Sequence, residues 1–452
     1  MRRLALAALI AALAAACAPL PRPQVPPPPP VTGPGEEPQE QPPAGGPAPL
    51  RLDREPTIDV GLAWDLDSLA IAPLRPVRLQ SVRDREGHHS DPIGEPFVVR
   101  MAGTSRAEVV RQGDRQAERL WAAYGPETTW VVDDGGRGMD EPAVSWNGRT
   151  WRGALKIMVN PRGKLTLAVR LPLETYLLGV VPGEIGGLTP DLLEAGRAQA
   201  IAARSYTLFY RGRRAAEGFD IYGTVEDQVY GPLESERPLA TKCVEATRGL
   251  VALSDGQPIR ANYCSTCGGI TAGVTEAWPA EPLPYLASGR DRDRGGDWCA
   301  ASPQFRWHEE WKPGELAANL ERFAPRLQVA LPPGGVGGIV DVRADARSRS
   351  GRVWRLVVTT TTGRIVVPAY ALRQVLRRGG DANAILRSNL FKIDVRRDPA
   401  SGRALAIVAT GAGSGHGVGL CQTGALGMAR AGRDAKAILA HYYRGAELKR
   451  LY

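Results

Sequence analysis

Short alternations of apolar and polar residues dominate the first folded part of the chain. Residues 57–62 alternate in this way and predict a β-strand, because successive strand side chains point to opposite faces of a sheet. Turn sequences such as Asn147-Gly148 separate several similar stretches. These further strands are predicted at 69–71, 77–82, 97–101, 130–132 and 155–159. We therefore expect a mainly β region up to about residue 170, with 56–150 as its amino-terminal part.

A helical period replaces the alternation near residue 190. Thr189 is placed to cap a helix and Pro190 suits its first turn, where a missing N–H costs nothing. Small and apolar residues then recur every three or four positions to about Arg211, which predicts an amphipathic helix. Strands are expected again at 339–342, 354–359 and 364–368, and helices at 422–430 and 435–443, the last capped by Asp434. The predicted fold class is α+β.

The first 55 residues have a different pattern. Two arginines, an apolar run over 4–16 and small residues before Cys17 predict a secretory signal over 1–17. The position of Cys17 is typical of bacterial lipoproteins, although Ala14 stands where leucine is usual, and it predicts lipidation and a membrane anchor in the cell envelope. Residues 18–55 are rich in proline, and we expect a disordered linker that reaches on the order of 100 Å as polyproline II. This segment is either a tether to the cell wall or a tail without function.

Composition and charge restrict the partners. The chain has 452 residues, of which 43% are hydrophobic, so a sizeable core is possible. A net charge of +9 suits either nucleic acid or an anionic polymer such as peptidoglycan. The arginines are spread along the chain and no nucleic-acid motif accompanies them, so we expect no nucleic-acid partner.

Glu184 is the carboxylate whose surroundings best suit acid catalysis. It follows the apolar residues Val180, Val181 and Pro182 and precedes Ile185. A carboxyl group in apolar surroundings resists ionisation, so its pKa rises towards the value that a general acid needs. The alternative is a carboxylate at the start of a helix that stabilises the helix dipole. A serine hydrolase is not expected, since no nucleophile elbow appears in the sequence.

The six cysteines predict a metal site. If Cys17 is lipidated, five remain and cannot all pair as disulfides. Cys264 and Cys267 have metal-ligand spacing, and two further cysteines complete a tetrahedral thiolate set of the kind that zinc prefers. The predicted ligands of this structural zinc are Cys264, Cys267, Cys299 and Cys421. Disulfides Cys264–Cys267 or Cys299–Cys421 are the alternative. Cys243 is expected to be a small buried residue.

Four segments together resemble one family. They are residues 171–185 leading into 198–206, residues 227–231, residues 261–269 with 284–286 and 297–299, and residues 415–425. In this order they resemble the SpoIID family, which includes sporulation lytic transglycosylases and amidase-enhancer proteins. The resemblance implies a catalytic region over 151–452 and a catalytic acid/base at Glu184. Ile185-Gly186 departs from the Met-Pro that often follows this glutamate in the family.

The resemblance also implies a substrate, a metal and two functions. A lytic transglycosylase cleaves the peptidoglycan backbone with one carboxylate and leaves 1,6-anhydro ends. The other function is a non-catalytic activator of a cell-wall amidase, and a carbohydrate-binding structural protein is a third possibility. Zinc is associated in the family with the loop of Cys264, where a histidine stands instead. The candidate glycan-binding residues are Tyr206, Gln228, Tyr230, His416 and Gln422. His416 is alternatively a metal ligand.

Overall fold

A computed structural model describes residues 50–81, 90–111, 119–124, 128–133 and 139–452. The predicted signal peptide, Cys17 and the predicted linker up to residue 49 lie outside these ranges. The described residues combine helices with several sheets, which confirms the α+β prediction. None of the described helices is both long and apolar enough to cross a membrane.

Two six-stranded sheets form the amino-terminal β region. Alternating burial along Ala154–Val159 places Leu155, Ile157 and Val159 in the core, as the pattern of the sequence predicts. The order of the first sheet is Ile221–Tyr222, Thr57–Leu66, Leu165–Pro172, Ala154–Val159, Thr128–Asp133 and Val77–Ser81. The order of the second sheet is Arg119–Tyr124, Arg106–Arg111, Phe97–Met101, Ser68–Pro73, Val144–Trp146 and Arg149–Trp151. Asn147 and Gly148 form the predicted turn, with φ of 52° and 66°.

The helices lie mainly in the second half of the chain. In chain order they are α1 Leu173–Glu184, α2 Leu193–Tyr210, α3 Pro238–Ala246, α4 Pro313–Phe323, α5 Ala369–Leu376, α6 Gln422–Arg430 and α7 Ala435–Tyr442. Short 3₁₀ turns occur at Pro190–Leu192, Ala215–Glu217, Leu233–Ser235, Val274–Glu276, Pro284–Leu286 and Pro325–Leu327. The prediction of a Thr189 cap is wrong, because the Thr189 hydroxyl donates to the Asp191 carboxylate (2.6 Å) instead. Asp434 caps α7 as predicted, accepting from the Ala437 N–H at 2.7 Å.

Helix α1 was not expected from the sequence, because Gly179, Pro182 and Gly183 are poor helix formers. Packing explains it. Leu173 and Val180 are fully buried in the larger hydrophobic cluster of the protein, and Gly179 allows the chain around Gly231 to come close. A Cβ atom at position 179 would lie 2.5 Å from the Gly231 carbonyl oxygen. Tertiary contacts therefore override local propensity here, and they place Glu184 at the last residue of the helix.

Small sheets join the cysteine-bearing loops to the carboxyl-terminal segments. Three of them pair Leu250–Ser254 with Gln257–Pro258 and Glu447–Arg450, Ile270–Thr271 with Gly289–Arg290, and Arg292–Asp293 with Gly296–Asp297. A fourth, parallel, pairs Tyr263–Cys264 with Leu420–Cys421. This last pairing places the Cys264–Cys267 loop beside the segment that carries His416 and Gln422.

Residues 307–411, called the inserted unit from here on, have a hydrophobic core of their own. One sheet has the order Trp307–Trp311, Ala404–Gly411 and Phe391–Arg397, and the other has Ile339–Arg347, Val353–Thr360 and Arg364–Pro368. Helices α4 and α5 pack with these sheets. Trp307 and Gly411 are register partners, so the chain enters and leaves the unit at one place. The predicted region 151–452 thus contains two hydrophobic cores. We call the described residues outside the inserted unit the main core.

Residues 50–55, which the sequence prediction assigns to the linker, contact the main core. The Leu50 N–H donates to the Gly256 carbonyl at 2.9 Å, and Leu50 and Leu52 pack on a small buried cluster. Glu55 forms an ion pair with Arg248. Residues 50–55 are therefore part of the folded structure.

Candidate active site and metal centre

A cleft of about 1990 Å³ is lined by residues of both the main core and the inserted unit. The lining residues include five of the predicted site residues, which are Glu184, Tyr206, Cys264, His416 and Gln422. The inserted unit contributes a second set that the sequence analysis did not single out: Arg326, Leu327, Gln328, Tyr370, Arg373 and Ile385. The site thus depends on both cores.

Glu184 is a half-buried carboxyl group held by hydrogen bonds. The Val229 N–H donates to Oε1 at 2.7 Å, and the Gln422 side-chain amide donates to Oε2 at 3.2 Å. The Tyr263 hydroxyl also bonds to it. Burial nevertheless raises the pKa of Glu184, against the lowering effect of these donors. Its place at the carboxyl end of α1, where the helix dipole is negative, excludes the alternative of a dipole-stabilising carboxylate at a helix start.

Two of the predicted glycan-binding residues lie behind the cleft wall. Gln228 is fully buried, accepts from the Thr207 hydroxyl at 2.6 Å and donates to the Tyr263 hydroxyl at 2.9 Å. Tyr230 packs between the rings of Trp151 and Tyr176. Neither is among the residues that line the cleft, although Val229 between them is. Their physical role is to hold the wall that carries Glu184.

Tyr206 lines the cleft and is fixed by its neighbours. Its hydroxyl donates to Asp227 at 3.2 Å, and its ring lies 4.6 Å from that of Tyr210. The Asp227 carboxylate is further engaged by Arg213 at 3.5 Å and Arg214 at 3.9 Å. Tyr206 is 6% exposed, so only a small part of it faces the cleft.

His416 sits in the glycine-rich segment as a neutral ring. Its Nδ1 accepts from the Val418 N–H at 3.0 Å, and its ring lies 4.7 Å from that of Trp278. Burial, followed by the positive charge of Arg373, lowers the pKa of His416 to about 3. Because Nδ1 is an acceptor, the ring proton is on Nε2. His416 lies outside the metal-ligand cluster, so the alternative in which it replaces a cysteine ligand is wrong.

A second cluster, which we call the metal cluster, consists of Cys267, Asp291, Cys299 and Cys421. The ligand atoms of these four buried residues lie within 4.8 Å of one another, a group that could hold a metal ion. Cys264 is not in it, although it is the register partner of Cys421 and lines the cleft. Three of the four predicted ligands are therefore in the metal cluster together with Asp291, and the Cys264 thiol contacts that of Cys421. No local motif marks Asp291 in the sequence.

The geometry of the metal cluster fits a tetrahedral metal. The Cys267 and Cys299 sulfur atoms are 3.7 Å apart, close to the ~3.8 Å that two ~2.3 Å zinc–sulfur bonds subtend at a tetrahedral centre. Interactions with the neighbouring Cys267 and Cys421 sulfur atoms, together with the N–H groups of Gly268 and Gly269, lower the pKa of Cys299 to about 3. The cysteines among the described residues are all free, so neither predicted disulfide is present. Cys243 is buried, as predicted.

Further groups orient the ligands of the metal cluster. One Asp291 oxygen accepts from the Tyr442 hydroxyl at 2.8 Å and lies 3.1 Å from the His441 ring nitrogen. The other accepts from the Cys267 thiol at 3.0 Å. Backbone N–H groups of Cys267 and Gly424 donate to the Cys421 sulfur at 3.2 and 3.3 Å. Such outer partners fix ligand orientation in metal sites, and they leave the cluster closed to substrate.

Comparison with known proteins gives two family matches. Residues 161–253 match the SpoIID family, described as Stage II sporulation protein. Residues 299–419 match a domain of unknown function, DUF8618, and this range contains the whole inserted unit.

Three relatives illustrate the similarity. An uncharacterised protein of Brachyspira hyodysenteriae is 29% identical over 67% of this chain and 73% of its own length. The stage II sporulation protein D of Bacillus subtilis is 26% identical over 62% of this chain and 74% of its own length. The amidase enhancer of Bacillus subtilis is 26% identical over 60% of this chain, but only 40% of that protein is covered.

Proposed function

The chain belongs to the SpoIID family, and from this premise we propose that it is a peptidoglycan lytic transglycosylase in which Glu184 is the general acid and base. The observation that carries the proposal is the state of Glu184. It is a half-buried carboxyl group on a cleft wall, burial raises its pKa, and three fixed donors orient it. A carboxyl group tuned in this way is what proton donation near neutral pH requires.

The remaining carboxylates favour a mechanism with a single carboxylate. Among the described lining residues the others are Glu226 and Asp227. Asp227 is neutralised by two arginines and bonded to Tyr206, and Glu226 is exposed and bonded to Thr224. Hydrolysis of a glycosidic bond normally uses two free carboxylates. A reaction that needs only one suits this cleft better.

The proposed reaction uses the substrate's own hydroxyl in place of water. Protonated Glu184 gives its proton to the glycosidic oxygen as the bond from that oxygen to C1 of the muramic sugar breaks. The resulting carboxylate accepts the proton of the 6-hydroxyl group, whose oxygen forms a bond to C1. The products are a 1,6-anhydro end and a free 4-hydroxyl, and Glu184 is protonated again. Gln422 and the Val229 N–H hold the carboxyl group in place through both steps.

The test is digestion of purified glycan strands with the wild type and with Glu184→Gln. We expect 1,6-anhydromuramic ends from the wild type and a loss of ~10²–10⁴-fold in rate from the variant, the usual contribution of a general acid or base. Glu245→Gln, an exposed carboxylate on α3 outside the cleft, is the matched control and should retain full activity. An absence of anhydro ends with the wild type would overturn the proposal.

A second candidate function is the stimulation of a cell-wall amidase without catalysis. It is favoured by one observation, the relative named amidase enhancer. In this case Glu184→Gln would stimulate a purified cell-wall amidase as well as the wild type does, and neither protein would produce anhydro ends. The two functions therefore differ in a single assay.

We also propose that the metal cluster binds a structural zinc ion. Three thiols and one carboxylate suit zinc, and four protein ligands leave no open position for a catalytic water. The cluster fixes the loop of Cys267 against α6, which begins at Gln422. The ion would thus position Gln422, a partner of Glu184, without taking part in the reaction.

Export and anchoring complete the proposal. Peptidoglycan lies outside the cytoplasmic membrane, and the signal over 1–17 with Cys17 would deliver the protein there as a lipoprotein. Metabolic labelling with a fatty acid, lost in Cys17→Ala, is the expected result. Labelling that persists in this variant would contradict it.

A further inference from the structure

The wall of the cleft that belongs to the inserted unit carries a cation without a counter-charge. Arg373 lies on α5 and lines the cleft. Its Nε donates to the Leu386 carbonyl at 2.8 Å, which fixes the side chain and leaves its two terminal nitrogens available. No carboxylate among the described residues pairs with it. Burial of a guanidinium group with unused N–H donors costs desolvation free energy unless an anion binds to it.

The main core contributes a second such cation. Arg260 lines the same cleft, with its guanidinium carbon 4.9 Å from the ring centroid of Trp278 and 5.7 Å from that of Tyr210. Its Nε is buried and has no hydrogen-bond partner among the described residues. The stacking fixes the plane of the guanidinium group and leaves its charge without an acidic partner in this part of the chain.

The two arginines act on one part of the cleft. The Arg260 guanidinium group and the His416 ring both pack on the ring of Trp278, and the charge of Arg373 also lowers the pKa of His416. Of the other arginines that line the cleft, Arg213 and Arg214 share the single carboxylate of Asp227. Arg260 and Arg373 have no acidic partner among the described residues, and planar guanidinium groups bind carboxylates with paired hydrogen bonds.

We propose that Arg260 and Arg373 form an anion subsite, shared by the main core and the inserted unit, that binds a carboxylate of the polymer. The identity of this polymer rests on the proposed function, whereas the binding does not require cleavage. Peptidoglycan offers two sources: the lactyl carboxylate of a muramic sugar without a stem peptide, and the carboxylates of the stem peptide itself.

Binding is measured on the Glu184→Gln background, which removes cleavage. Three strand preparations distinguish the sources: strands without stem peptides, the same strands with their carboxylates reduced to alcohols, and strands with stem peptides. The variants are Arg260→Gln, Arg373→Gln and Arg373→Lys, which keeps the charge. The matched control is Arg364→Gln, an exposed arginine of the inserted unit outside the cleft. Thermal unfolding of each variant checks the fold.

We expect each arginine-to-glutamine variant to bind peptide-free strands about 10-fold more weakly, the usual effect of a charged hydrogen bond. Reduction of the carboxylates should weaken the parent protein more than either substitution does, and it should weaken each variant less than the parent, because each variant keeps only one arginine of the subsite. Arg373→Lys should retain part of the affinity, and Arg364→Gln all of it. Tighter binding of peptide-bearing strands, lost in both variants, would support the subsite and assign the carboxylate to the stem peptide.

Equal weakening of the variants on native and reduced strands would overturn the subsite, and so would an absence of binding to all three preparations. The failure of the proposed function is distinguishable. If the wild type forms no anhydro ends while the binding still depends on both arginines and on the carboxylate, the enzyme proposal fails and the subsite stands.

Discussion

The metal cluster and the cleft both gather ionisable groups out of water, but they differ in how these groups are satisfied. In the metal cluster each carboxylate oxygen of Asp291 has a partner and backbone N–H groups reach the sulfur of Cys421. In the cleft, Arg260 has a buried N–H without a partner among the described residues. The cleft therefore keeps hydrogen-bonding capacity at Arg260 that the partners of Asp291 and Cys421 take up in the metal cluster.

The largest predicted effect concerns the metal cluster. Cys299→Ser should abolish metal binding and lower the free energy of unfolding by more than about 4 kcal/mol, the range that marks loss of a metal or a buried network. Metal analysis under reducing conditions and denaturant unfolding are the measurements. Cys264→Ser is the control, because Cys264 lies outside the metal cluster, and it should keep the metal. Loss of metal in both variants would instead favour the ligand set predicted from the sequence.

A smaller effect on stability is expected from Glu184 in the cleft. Burial raises the pKa of Glu184 above the ordinary value of 4.5, so above pH 4.5 the folded state keeps a proton that the unfolded state has released. The wild type should therefore lose stability relative to Glu184→Gln as the pH rises from 4.5 through the raised pKa. Denaturant unfolding of both proteins over this range is the measurement. If the free energies of unfolding of the two proteins changed with pH in parallel, the pKa of Glu184 would not be raised in the folded state.

The smallest effect is a shift of the pH–rate profile in Gln422→Ala. The Gln422 amide lowers the pKa of Glu184, so its removal should raise that pKa and move the alkaline limb of kcat to higher pH. Gln422→Glu, which adds a like charge, should move the limb further in the same direction. A fall in rate without a shift in either variant would assign Gln422 to substrate binding alone.

The sequence predicted the elements that have a strong local signal. Helix α6 agrees with the prediction at both ends, and the strand Ala154–Val159 follows from its alternation. Helix α1 was missed because its glycines and Pro182 oppose a helix, and only burial against the core makes it one. The inserted unit was missed for a similar reason: its strands look like any others, and the pairing of Trp307 with Gly411 has no local signal.

The candidate site was predicted in part for the same physical reason. Glu184, His416, Gln422 and three cysteine ligands stand in recognisable segments. Asp291 and Arg373 carry no motif, and their places depend on long-range packing. Gln228 lies in a recognisable segment but supports the wall from behind, since residue type does not distinguish a side chain in the cleft from one beneath it.

The adjacent ends of the inserted unit have an evolutionary consequence. A segment whose two ends lie side by side can be exchanged without changing the path of the rest of the chain, so the inserted unit can vary while the main core that carries Glu184 is kept. Contacts between the two parts constrain this exchange. Arg352 of the unit donates to the carbonyl groups of Cys267 and Ile270, and Ser350 donates to Glu276. A replacement unit would need equivalent donors to preserve these loops.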